Sequence, residues 1–139
     1  FKSSFAEAKA AAVKAGAARV LATEIDPFAL VALELNASMN GVSLEISGLD
    51  VLDGGLAALP FRPETVLLGD VFFEQPLADR VAEFAARCTE AGILTLVGDP
   101  GRSYLPAGRM ETLAEYRVPT TRALEDAEVK KTRVWRFLG

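Results

Sequence analysis

Acids stand at the ends of three apolar runs in this chain. Glu24 and Asp26 close "RVLATEID", Asp70 closes "TVLLGD" and Asp99 closes "ILTLVGD". Short, uninterrupted apolar runs of this kind read as strands of a parallel sheet buried on both faces. In an open α/β sheet ligands bind at the carboxyl ends of the strands, so these acids are expected to gather beside one crevice. Carboxylates placed there suit acceptance from ribose hydroxyls or an amino group, and the handling of protons. Each also suits a cap on the helix that follows it, and the two readings stay open. The chain has no histidine, which removes Ser-His-Asp and Cys-His nucleophile systems and imidazole-ligated metals. With Cys88 the one cysteine, no metal site is expected, and chemistry is left to carboxylates, aromatics, backbone amides or a cofactor.

Two positions describe a nucleoside pocket. Glu24 sits where the acid ending the second strand of a Rossmann-like unit accepts from ribose hydroxyls, and Asp50, in "SGLDVLD", is placed to receive an adenine amino group. Neither distinguishes a nicotinamide dinucleotide from S-adenosylmethionine. A second cluster lies in "GDVFFEQPLADR", where Asp70, Phe72, Phe73 and Glu74 follow a strand and precede a helix. It reads either as an aromatic gate flanked by acids or as core rings beside a solvated first-turn acid.

The elements that must position these residues alternate between β-rich and helical patterns, which predicts an α/β fold: a Rossmann-like, mostly parallel sheet flanked by helices, with an antiparallel C-terminal strand pair. "FAEAKAAAVKAG" reads as an Ala-rich helix ending at Gly16. Asp26 and Pro27 open a helix that stops at Asn40-Gly41, and "VSLEI" (42–46) follows as a strand. Pro76 opens another helix, with Leu77, Val81, Phe84 and Cys88 on one face and Gly92 at its end. "AEYRV" and "TRVWRF" are expected as edge strands joined by the polar stretch "PTTRALEDAEVKK", with Trp135 packing there. A length of 139 residues predicts one domain spanning 1–139. A net charge of −4 argues against a nucleic-acid partner, no apolar run is long enough for a membrane span, and the single cysteine suits a reducing, cytoplasmic setting.

The stretches "GAARVLATEIDPFALVALELNASMNGV", "LLGDVFFEQPLADRV" and "LVGDPGRSYLP" resemble the seven-β-strand class I methyltransferases, and within them the electron-transfer flavoprotein beta-subunit lysine methyltransferases and the related ribosomal protein L11 methyltransferases. The resemblance implies S-adenosyl-L-methionine as cofactor and a lysine of the electron-transfer flavoprotein beta subunit as substrate. It implies Glu24, Asp26, Asp50, Asp70 and Phe72 at the cofactor, with Glu24 on the ribose. It makes Asp70 the start of an Asp-x-x-Tyr motif at the methyl-transfer site, here ending in Phe73, which keeps the ring and loses the hydroxyl. Glu74 joins Asp70 and Phe73 as catalytic, and Phe73, Asp99 and Arg102 are expected to meet the protein substrate. Ser4 and Ala6 stand where the family has two glycines facing the cofactor, and the family's first, central strand has no counterpart. The expectations for that gap are an N-terminally incomplete chain, a catalytically silent binding module that retains the scaffold, or a sheet completed by another segment. A nicotinamide-dependent oxidoreductase is disfavoured, because no hydride-transfer acid is evident.

Overall fold

The computed structural model describes residue 9 and residues 11–121 and 127–139. Its contacts fall into two compact units, Phe1–Leu59 and Pro60–Gly139.

The first unit is built on strands β1 (Leu21–Thr23) and β2 (Glu45–Ser47), which run parallel with Leu21 opposite Glu45 and Thr23 opposite Ser47. Between them runs helix α1 (Pro27–Met39), the crossover that a parallel pair requires. Ala22 and Leu33 form the buried centre, with Leu44 and Ile46 packed against it. The run 19–26, expected to be a strand buried on both faces, is shorter: only Ala22 of β1 is fully buried. Among the described residues the strand pairs on one side alone, so its other edge is not covered by a ladder there. Alternate residues of β1 turn their backbone groups towards β2, Val20 accepting from the Glu45 N–H and Glu24 donating to the Ser47 carbonyl. The Thr23 carbonyl therefore points to the open edge, where the Lys9 ammonium donates to it at 3.3 Å. A lysine is a common way to blunt an open strand edge.

Residues 9 and 11–14 are helical. This helix and α1 end alike, the N–H of Gly16 reaching the Val13 carbonyl and Ala17 that of Ala12, and likewise Gly41 to Ser38 and Val42 to Ala37. That paired closure needs a left-handed residue, and Gly16 and Gly41 supply it with φ of 99° and 61°. Val51–Gly54 forms a one-turn helix, α2.

The second unit is a four-stranded sheet in the order β3 (Thr65–Gly69), β4 (Leu94–Asp99), β6 (Ala127–Phe137) and β5 (Met110–Thr121). Strands β3 and β4 are parallel, with Gly69 opposite Gly98. Helix α3 (Gln75–Glu90) joins them and packs on β4 and β6. Its buried stripe of Ala78, Val81, Phe84, Ala85 and Cys88 follows the expected 3.6-residue period. Thr95, Val97 and Asp99 are buried on one face of β4, and Trp135 and Phe137 on β6.

The antiparallel pair is longer than its sequence suggests. Strand β5 runs Met110–Thr121 and β6 runs Ala127–Phe137, so most of the described part of the stretch expected as a connection is ladder. Polar residues pair across the ladder: Glu115 lies opposite Arg133 and accepts from it at 2.9 Å, and Glu111 pairs with Arg136. Pro119 is accommodated because β5 is the outer strand. Trp135, expected on an edge strand, lies on β6 between β4 and β5 and is buried there.

Two variants check this packing. Phe84→Ala empties a buried ring and should lower the unfolding free energy by about 3–5 kcal/mol in urea titration; the fully buried Cys88 should meanwhile react with a thiol reagent only as the protein unfolds. The second concerns Lys9, whose pKa is lowered by burial, with the Glu24 charge partly opposing. The folded state thus releases this proton at a lower pH than the unfolded chain, so the unfolded state binds more protons between the lowered value and the ordinary 10.5. Stability rises with pH wherever that holds. Wild type should therefore gain stability relative to Lys9→Gln as pH is raised from 7 towards about 10.5, and a constant difference would contradict the burial of this ammonium.

Candidate active site

In the first unit the loops after β1 and β2 lie side by side, because parallel register brings Thr23 beside Ser47 and the Glu24 N–H bonds the Ser47 carbonyl at 3.1 Å. A Cβ at Gly48 would come within 4.0 Å of the Glu24 carbonyl oxygen and 3.7 Å of Leu30 Cδ1, which shows how closely the second loop passes the first. Glu24 folds back on its own loop, Oε1 accepting from the N–H groups of Ile25 at 2.9 Å and Asp26 at 3.1 Å. Asp26 caps α1, its Oδ1 accepting from Phe28 N–H at 2.9 Å, with Pro27 at the first helical position. Asp50 caps α2 in the same manner through Leu52 N–H at 2.9 Å.

A carboxylate offers about four lone-pair sites, so the two bonds to Oε1 fix Glu24 without exhausting it. The donor chemistry of an adenosine fits this loop pair: a ribose diol and an exocyclic amine are donors, and Glu24 and Asp50 are pre-oriented acceptors on adjacent loops. Ser4 and Ala6, expected beside the cofactor, lie outside the described residues.

In the second unit the ladder continues one residue past β3, Asp70 N–H donating to the Gly98 carbonyl at 2.9 Å. Asp70 then turns into the left-handed region with φ of 48°, alone in this among the described residues other than glycine. Aspartate tolerates that conformation better than most side chains, and such outliers gather at functional sites. Its carboxylate meets Arg102 in a two-point fork, Nε to Oδ1 at 2.6 Å and Nη2 to Oδ2 at 2.8 Å. The Arg102 pKa is raised chiefly by these bonds, against burial, with the charges of Asp70 and Asp99 adding to the rise.

Asp99 is 1 % exposed. Its Oδ1 accepts from the N–H groups of Gly101 and Arg102, both at 2.7 Å, while Oδ2 is buried without a hydrogen-bond partner among the described residues. An unmet buried acceptor costs about 1–3 kcal/mol, so the fold carries a penalty to keep this acid here.

The aromatic pair divides. Phe72 is 0 % exposed and is a packing ring of its unit, whereas Phe73 is 54 % exposed. Of the two rings expected at the transfer site, Phe73 is the one a ligand can reach as the structure stands. Glu74 is exposed at the N-cap of α3 and makes no side-chain cap bond. Arg102, expected to meet substrate, spends its guanidinium on Asp70. The Pro-Gly turn in "GDPGR" signals that the chain reverses here, but not which acid the arginine meets. Lys9, whose pairing with β1 was not expected, stood out as a charge within an Ala-rich helix.

No family model matches the chain. In sequence it is 30% identical over 132 residues to the electron transfer flavoprotein beta subunit lysine methyltransferase of Danio rerio, with 91% of this chain and 50% of that protein covered. It is 36% identical over 88 residues to the ribosomal protein L11 methyltransferase of Geobacter metallireducens, with 63% of this chain and 27% of that protein covered. The chain spans about half the length of the lysine methyltransferases it matches. In fold it is similar to precorrin 8w decarboxylase from Methanobacterium thermoautotrophicum at a TM-score of 0.59 and 14% identity, covering 86% of this chain and 69% of that one. It is also similar to a Haemophilus influenzae protein described as a methylase, at 0.53 and 18%, covering 93% and 78%. The chain is thus homologous to the electron transfer flavoprotein beta subunit lysine methyltransferases and has the Rossmann-like fold of the class I methyltransferases.

Proposed function

We propose that the protein is an S-adenosyl-L-methionine-dependent protein-lysine N-methyltransferase and that its substrate is the beta subunit of electron transfer flavoprotein. The observation that carries this reading is the 30% identity over 91% of the chain to an enzyme of that name, joined to acceptors on adjacent loops that suit an adenosine.

The cofactor, when bound, supplies a methyl group on a positively charged sulfur, which a neutral amine takes in line. What the protein contributes is placement. Glu24, with Oε1 fixed by two backbone amides, accepts from ribose hydroxyls with its remaining lone pairs; Asp50, fixed by Leu52 N–H, accepts from the adenine amine. Phe73 presents an accessible ring against which a lysine side chain can lie, and an apolar wall favours the neutral amine by desolvation. Asp70 offers acceptor lone pairs at the end of β3 for the amine's N–H, and Glu74, exposed one residue past Phe73, is placed to pass the released proton to water.

Calorimetry with S-adenosylhomocysteine and methyl incorporation into folded beta subunit test the reading on the full-length protein. Glu24→Ala should weaken the calorimetric affinity about ten- to a hundredfold, the loss expected for a charge-assisted hydrogen bond. Phe73→Ala should leave the unfolding free energy within about 0.5 kcal/mol, as befits an exposed ring, while lowering methyl transfer. Absence of both binding heat and incorporation in wild type would refute the proposal.

A further inference from the structure

We propose that Arg102 is a positioning residue for methyl transfer: held by Asp99 through the backbone of the 99–102 turn, it fixes the Asp70 carboxylate in the orientation the incoming amine requires. This rests on the lysine methyltransferase reading above and goes beyond it, because it moves Asp99 and Arg102 from the surface that meets substrate to the machinery behind Asp70.

The geometry is a relay of three fixed joints. Asp99 ends β4 directly beside the end of β3, since Gly98 is the register partner of Gly69. Its buried Oδ1 gathers the N–H groups of Gly101 and Arg102 at 2.7 Å each, so the turn cannot swing without stripping two bonds from a buried acceptor. Gly101 makes this closure possible with φ of 97°. A Cβ there would meet nothing within 4 Å, so the demand on this position is conformational and not steric. From the anchored backbone the Arg102 side chain reaches across to Asp70 with both fork contacts formed. A single-point contact would leave the carboxylate free to rotate; two parallel N–H···O bonds set its plane. Asp70 itself leaves the ladder in a left-handed turn, so its backbone alone does not prescribe where the carboxylate points. A displaceable arginine, yielding the acid to a substrate ammonium, would need a mobile anchor, and the buried Asp99 provides the opposite.

The test uses full-length protein, its folded fraction measured by the stoichiometry of S-adenosylhomocysteine binding in calorimetry. Arg102→Gln should lower kcat for methyl transfer about ten- to a hundredfold, the scale of a misoriented reacting group. Its S-adenosylhomocysteine affinity should stay within about twofold of wild type and its KM for the protein substrate should not rise by more than about twofold, as expected of a group that orients the acid and does not itself bind substrate. Arg102→Lys should recover only part of kcat, because a point charge lacks the fork. Asp70→Asn combined with Arg102→Gln should lose no more than the worse single variant, the non-additivity expected of residues acting as one unit. Gly101→Ala, which alters the anchor without touching either side chain, should reproduce the kcat loss with affinity retained. An Arg102→Gln kcat within about twofold of wild type, or single losses that multiply in the double variant, would overturn the inference while leaving the methyltransferase reading in place. A wild type that binds no S-adenosylhomocysteine and transfers no methyl group would instead refute that reading, and this inference with it.

Discussion

Where a strand stops and a helix begins, the backbone N–H groups between them lose their ladder partners, and they must find acceptors or be hydrated. This chain meets that constraint with carboxylates. Glu24 takes the amides of Ile25 and Asp26, Asp26 that of Phe28, Asp50 that of Leu52, and Asp99 those of Gly101 and Arg102. For Glu24 and Asp50 the capping role is formed in the structure, and it does not conflict with the ligand-binding role proposed for them. In each, one oxygen orders the loop and so fixes the orientation of the carboxylate. Asp70 is the exception, since its carboxylate binds a cation from a neighbouring turn.

How far sequence could reveal this depended on whether a feature is local. The helix ends were legible because one glycine in the left-handed region closes each of them, at Gly16, Gly41 and Gly92. The buried face of α3 was legible because its polar residues are segregated, leaving Val81, Phe84 and Cys88 on one side. Helix α1 is apolar around its circumference: Ala29, Leu33 and Ala37 are buried while Phe28, Val31, Leu35 and Met39 are exposed. No period in its sequence told those faces apart. The hairpin was underestimated for the converse reason, since Thr, Lys, Glu and Arg carry little strand signal singly and form a ladder here through their partners across it.

The acids at the strand ends were readable by type and place, because a carboxylate there is visible in one stretch of chain. Their partners were not. Arg102 and Asp70 are 32 residues apart, and their meeting depends on the β3–β4 register, on the left-handed turn at Asp70 and on the Asp99 anchor, none of which a linear pattern encodes. Nor could the sequence separate Phe72 from Phe73. Neighbouring residues leaving a strand point to opposite sides, and the side that α3 covers is a property of packing.

The Arg102 fork also bears on how a lysine could react beside an acid. An isolated carboxylate near the transfer site would hold an incoming lysine as ammonium, since an opposite charge within a few ångström favours the charged form. An ammonium has no lone pair with which to attack. Paired with Arg102, Asp70 keeps acceptor capacity on both oxygens, because each bond of the fork uses one lone pair of two, yet the pair carries no net charge. On the functional reading proposed above, it would orient an N–H while adding less to the pull on the departing proton than a bare carboxylate would. On that reading, neutralising the acid from behind and lining the approach with the exposed ring of Phe73 act in the same direction, each favouring the uncharged amine that the displacement consumes.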